Sequence, residues 1–156
     1  ALFQQSYFEH LAEVLPTLPG RMLPGIEMLL SVLSRRDDIL LGLLTGNFKR
    51  GASLKLSHFR TDHYFECGGF GDDHHERDDV ARAALAAVIR HRRADVDPQQ
   101  VWVIGDTPFD VRCARAIGAR VVAVATGSFA ADALHAENPD YLFDDLADPQ
   151  HLLALI

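Results

Sequence analysis

The stretch Val101–Asp110, VWVIGDTPFD, constrains this chain more than any other. A continuous apolar run ends at a glycine. One aspartate stands at its carboxyl end and a second follows four residues later. Thr107 is a good N-cap and Pro108 suits the first helical position, so a buried strand must turn directly into a helix. Carboxylates at strand ends of an α/β sheet stand where ligands bind. Asp106 and Asp110, held by such a turn, suit a hard cation such as Mg2+. A plainer reading makes Thr107 and Asp110 a capping pair, with the helix dipole favouring Asp110 by ~0.3–1 kcal/mol. That accounts for Asp110 but not Asp106, because an uncompensated carboxylate at the end of a buried strand is costly.

The rest of the chain alternates in the same way. Leu2–Leu15 carries Phe3, Tyr7, Phe8, Leu11 and Leu15 at helical spacing, and Pro16, Pro19 and Gly20 end it. Pro24 opens a helix with Ile26, Leu29, Leu30 and Leu33 inward. Ile39–Leu44 reads as a strand covered on both faces. Phe48–His58 reads as a helix, Tyr64–Glu66 as a weaker strand and Arg77–Arg92 as a long helix facing inward through Val80, Ala84, Ala87 and Val88. After the strand Val101–Ile104 and a helix stopping at Gly118 come a strand at Val121–Ala125 and a helix at Phe129–His135. A strand at Tyr141–Phe143 and a helix at Pro149–Leu155 close the pattern. Strand alternating with helix predicts an α/β fold: a Rossmann-like parallel sheet with helices on both faces.

Length and charge narrow the class. A chain of 156 residues is long enough to bury a sizeable core. A net charge of −7 argues against general nucleic-acid affinity. No apolar run approaches the ~20 residues that span a membrane. Cys67 and Cys113 are too few for a disulfide framework, so reduced thiols in a cytoplasmic protein are the expectation. Neither has an obvious activating partner, which favours inert thiols over a nucleophile.

Two further constellations carry chemistry. In Leu43-Leu44-Thr45-Gly46-Asn47, a hydroxyl at a strand end is followed by glycine and a helix start. The Thr45 hydroxyl and the backbone N–H groups of Gly46 and Asn47 can donate to phosphate oxygens. Equally, Thr45 and Asn47 can simply cap the next helix, the commoner outcome for these residues alone. Arg77 opens the long helix, where a cation opposes the dipole and so points to an external anion. A solvated arginine is its plainer reading. The cluster Asp72-Asp73-His74-His75-Glu76 lacks the separated spacing of a zinc site and is expected to be a solvated loop.

Taken together, these residues resemble the haloacid dehalogenase superfamily, in its Mg-dependent, phosphoglycolate-phosphatase-like branch. The resemblance covers about Leu23–Ile156, and its most specific element is GDTPFDVRCARAIGARVVAVATG from Gly105 to Gly127. By this resemblance Thr45 is the phosphate ligand of the second motif. Arg77 takes the third motif's basic position, where lysine is commoner; arginine keeps the charge and adds bidentate geometry. Asp106 and Asp110 are direct and supporting Mg2+ ligands of the fourth motif. The catalytic set in this chain is then Thr45, Arg77 and Asp106, with Gly46 and Asn47 assisting phosphate binding.

The superfamily's first motif, Asp-x-Asp-x-Thr/Val at the end of the first strand, is not found. Asp95-Val96-Asp97 has the spacing but follows the basic run Arg90–Arg93 and reads as a surface turn. The resemblance makes residues 1–20 the end of a helical cap with its linker, and 21–156 a hydrolase core without its first strand. That strand is expected between those ending at Thr45 and Asp106. The nucleophile is therefore expected upstream of this sequence, and the segment by itself is expected to be inactive. The implied function is hydrolysis of a small phosphorylated metabolite through an aspartyl-phosphate. The alternative is a non-catalytic module that binds a phosphate-bearing ligand or a protein partner. Neither the substrate nor the oligomeric state follows from the residues.

Overall fold

The computed structural model describes residues 2–74 and 76–156. Among the described residues seven α-helices and five short strands follow in order, the first being α1 Leu2–Val14, α2 Ile26–Leu33, β1 Gly42–Leu44, α3 Lys49–His58, β2 Cys67–Gly69 and α4 Arg77–Arg92. Then follow β3 Trp102–Gly105, α5 Pro108–Ala116, β4 Arg120–Val124, α6 Ala131–His135, β5 Tyr141–Phe143 and α7 Gln150–Leu153. Every strand pairing is parallel, as the alternation predicts.

The sheet is in two pieces. β1 pairs with β2, and β3, β4 and β5 form a separate ladder in that order. No ladder joins β1 to β3 among the described residues, so each has a free edge. Leu44 of β1 nevertheless packs against the same core cluster as Val103 of β3. The interruption therefore falls between the strands that end at Thr45 and Asp106.

β4 is the centre of the core. Its side chains alternate between faces, as a pleat requires. Val121 and Ala123 join Ala81 of α4, Val111 and Ala114 of α5 and Leu134 of α6. Val122 and Val124 join Leu29 and Leu33 of α2, with Leu146 and Leu152 near the carboxyl end. Helices thus cover both faces here, as expected for a buried parallel sheet. α1 lies against α3 through a cluster of Tyr7, Phe8 and Phe48, with ring centroids 5.3–6.4 Å apart at steep angles.

Three expectations need correction. The run Ile39–Leu44 yields a strand only at Gly42–Leu44, exposed or half-buried throughout rather than covered on both faces. A strand paired on one edge has half the neighbours that the expectation assumed. Ile104, expected buried, is 39% exposed beside the same interruption. The strand expected at Tyr64–Glu66 lies at Cys67–Gly69, and Asp62–Tyr64 forms a 3-10 turn instead. Glycines read as strand breakers, but here α4 lies directly on the backbone. A Cβ on Gly69 would stand 2.3 Å from the Val80 carbonyl oxygen and 2.7 Å from the Ala84 nitrogen. Close approach of another backbone is one of the uses of glycine in a strand.

Other boundaries agree within a few residues. Thr107 caps α5 with Pro108 at its first position, and α4 spans the predicted Arg77–Arg92. Ala81, outside the expected stripe of α4, is fully buried with Val80. The chain leaves α5 through Gly118 at φ 71°, a left-handed conformation open to glycine. Asp95-Val96-Asp97 is a surface turn, with Asp97 capping the 3-10 turn Pro98–Gln100 by accepting the Gln99 N–H at 2.9 Å.

Candidate active site

The loops that leave the carboxyl ends of β1 and β3 meet at the amino end of α4. After β1, the Thr45 N–H donates to the Gly69 carbonyl at 3.1 Å and extends the ladder by one residue. The Thr45 Oγ1 then accepts twice from Asn47, from its backbone N–H at 3.1 Å and its Nδ2 at 2.8 Å. Neither side chain caps α3, which overturns that plainer reading. Phe48 is the N-cap and makes no side-chain bond; the Lys49 N–H donates instead to Asp72 Oδ2 at 2.7 Å.

Asp72 was expected in a solvated loop. It is a remote helix cap, and the Gly71 N–H also donates to the Asn47 carbonyl at 3.0 Å. The loop after β2 is thereby fastened to the loop after β1. His75 of the histidine pair lies outside the described residues. Among the described residues, no three or more His, Cys, Asp or Glu side chains are gathered as a cation site.

Arg77 is the first residue of α4, and its guanidinium bridges the two strand ends. Nη1 would stand 2.9 Å from a Cβ on Gly46, so the group lies against that loop. Nη2 approaches Asp110 Oδ1 at 3.4 Å, a long contact. Arg77 is therefore not simply solvated: its charge faces the carboxyl end of β3.

Asp110 fulfils its capping reading. Its Oδ2 accepts from the Thr107 N–H at 3.0 Å and the Thr107 hydroxyl at 2.8 Å. The Thr107 Oγ1 accepts the Asp110 N–H at 3.3 Å, completing a capping box. Oδ1 is left facing Arg77. The Asp110 side chain is only 13% exposed, so the cap fixes it in a sheltered position.

Asp106 sits at the end of β3 with its carboxylate packed on Gly127. A Cβ there would stand 2.1 Å from Asp106 Oδ2, so the close approach requires glycine. Asp106 also lines a cavity of about 280 Å3 whose walls include Leu23, Ile26 and Ile104, with Thr126 and Asp145 adding polar groups. Neither Thr126 nor Asp145 was read as a site residue from the sequence. Among the described residues, none of the recorded hydrogen bonds uses the Asp106 carboxylate.

The donors fit Mg2+ in kind. That ion takes hard oxygen ligands, commonly one or two carboxylates, and fills the rest of its octahedron with water and phosphate oxygens. Asp106 offers a carboxylate and Asp110 one oxygen beyond its cap. The thiols fit no catalytic role. Cys113 is fully buried, donates to the Arg77 carbonyl at 3.3 Å and has its thiol pushed up by burial. Burial also pushes up Cys67. Thiols raised in this way are poor nucleophiles.

Comparison with known proteins bears on the fold. Residues 78–149 match the HAD-hydrolase-like family model. A haloacid dehalogenase-like hydrolase of Streptococcus pneumoniae is 25% identical with a TM-score of 0.68, over 86% of this chain and 60% of its own. A structure described as a predicted phosphoglycolate phosphatase from Haemophilus somnus is 22% identical with a TM-score of 0.75, over 97% and 63%. CbbY of Rhodobacter sphaeroides, solved with xylulose-(1,5)bisphosphate, is 21% identical with a TM-score of 0.75, over 93% and 63%. No curated protein matches the chain. The chain has, in partial form, the α/β fold of these haloacid dehalogenase-like structures. It spans about 60% of the length of the structures it matches.

Proposed function

We propose that the whole protein hydrolyses a small phosphate monoester with the help of Mg2+. The observation that carries this reading is the convergence of the Thr45 loop, Arg77, Asp106 and Asp110 at the carboxyl ends of two parallel strands. Ligands of open α/β sheets bind in that position. The likeness to phosphatases of the same fold supports the reaction class, while the substrate is left open.

In this reading Thr45, the N–H groups of Gly46 and Asn47, and the Arg77 guanidinium hold the phosphoryl oxygens. These are preorganised donors around developing negative charge, the usual main source of rate in phosphoryl transfer. Asp106 and the Oδ1 of Asp110 would hold Mg2+, which when bound would neutralise charge on the phosphoryl group. Arg77 then exchanges its long contact with Asp110 for the phosphate.

The test is a phosphoester screen of the natural full-length protein, with Mg2+ and with a chelator. Turnover that needs Mg2+ and falls at least about 100-fold in Asp106→Ala is the expected result. Phosphate binding without turnover of any ester would instead favour a non-catalytic module. Turnover that persists in Asp106→Ala would remove Asp106 from the site.

A further inference from the structure

The Thr45 hydroxyl is not free to rotate, and the cause can be traced two residues outward. An sp3 hydroxyl oxygen has two lone pairs and one hydrogen. Both lone pairs of Thr45 Oγ1 face donors from Asn47, at 3.1 and 2.8 Å. The hydroxyl can only donate in what direction remains, and among the described residues no recorded bond takes that hydrogen. The arrangement depends on which way the Asn47 amide is turned. With its oxygen toward Thr45 it would demand the hydroxyl hydrogen for itself.

Lys55 decides that orientation. Its Nζ, on the second turn of α3, donates to Asn47 Oδ1 at 2.9 Å. An ammonium has three donors and no acceptor, so it can face only the amide oxygen. Nδ2 is thereby turned toward Thr45. The positive charge also polarises the amide, which strengthens the second bond in the chain. We propose that Lys55 is a positioning residue, acting through Asn47 to lock the Thr45 hydroxyl as a donor to an anionic oxygen. This inference rests on the phosphate-binding reading of Thr45.

The test measures inorganic phosphate binding by the natural full-length protein in wild type, Lys55→Met, Lys55→Arg and Thr45→Val, and in the pair Lys55→Met/Thr45→Val. Methionine keeps the length and helix propensity of lysine at this half-buried position of α3, so the fold is retained. The expected result is a loss of roughly five-fold or more in Lys55→Met and near-complete rescue in Lys55→Arg. In the Thr45→Val background, Lys55→Met should cost nothing further, the mark of one residue acting through another. A general attraction of phosphate to the Lys55 charge would persist in that background and overturn the inference. Wild type and Lys55→Met binding equally, with Thr45→Val impaired, would overturn it and leave the phosphate site standing. No phosphate binding by wild type would overturn both.

Discussion

The two halves of the sheet are held together by different physics. β3, β4 and β5 lie between two apolar clusters, and all of Val121–Val124 is buried. β1 and β2 are three residues each, half-exposed and rich in glycine, and they rest on α4 along one face. The first half is ordered by burial. In the second, hydrogen bonds do much of the fastening: Asp72 to the Lys49 N–H, Gly71 to the Asn47 carbonyl, Lys55 to Asn47 and Asn47 to Thr45. Asp106 and Asp110 belong to the packed half, and Thr45, Gly46 and Asn47 to the fastened half. Arg77 spans both.

The comparison predicts graded responses to substitution. Leu134→Ala, at a fully buried position in the packed half, should cost about 2–5 kcal/mol in denaturant unfolding. Leu43→Ala, half-buried in β1, should cost clearly less; equal losses would erase the distinction. Next in size is Asp140→Ala. Asp140 Oδ2 accepts the Val121 N–H at 2.7 Å and Arg115 Nη1 at 2.9 Å, tying β5 to β4. Removing it strands a buried donor, a loss of about 1–3 kcal/mol.

Asp140 also carries a pH signature. Burial pushes its carboxyl up, but the Val121 N–H and Arg115 outweigh that and leave it below the ordinary value. A depressed carboxyl stabilises the fold above its unfolded value of about 3.9. That stabilisation is lost as pH falls through the folded value. Stability of wild type should therefore fall more steeply in acid than that of Asp140→Asn, as followed by thermal melts between neutral and low pH.

The smallest effect is expected at Asp72. Asp72→Ala removes a helix cap and should cost about 0.5–2 kcal/mol. Its more telling effect is local. Amide exchange at the start of α3 should quicken while β4 stays protected, because the packed half does not depend on this bond. Quickening across both halves alike would show one cooperative unit.

Legibility from sequence follows the same division. The packed half announces itself: Val101–Ile104 and Val121–Ala125 are continuous apolar runs, and Thr107-Pro108 marks where α5 begins. Arg77 and Asp106 could be picked out because each departs from what its position favours, and Asp110 by its spacing from Asp106. The fastened half hides its logic. Asp72 caps a helix 23 residues before it in the chain, and Lys55 reaches back eight residues to Asn47; neither obeys a local spacing rule. The strand Cys67–Gly69 was missed because its glycines serve the approach of α4, a contact that only the tertiary fold reveals.

In the proposed function the two halves form a single anion site across their junction. The most direct measurement is an NMR titration of the natural full-length protein with inorganic phosphate. It would follow the amides of Thr45, Gly46 and Asn47 together with those of Asp106 and Thr107 and the Arg77 side chain. These resonances, from both sides of the sheet interruption, should move together with one dissociation constant. Movement confined to Lys49, Arg90 and His91, which line a separate groove of about 460 Å3 at the outer edge of β2, would contradict it.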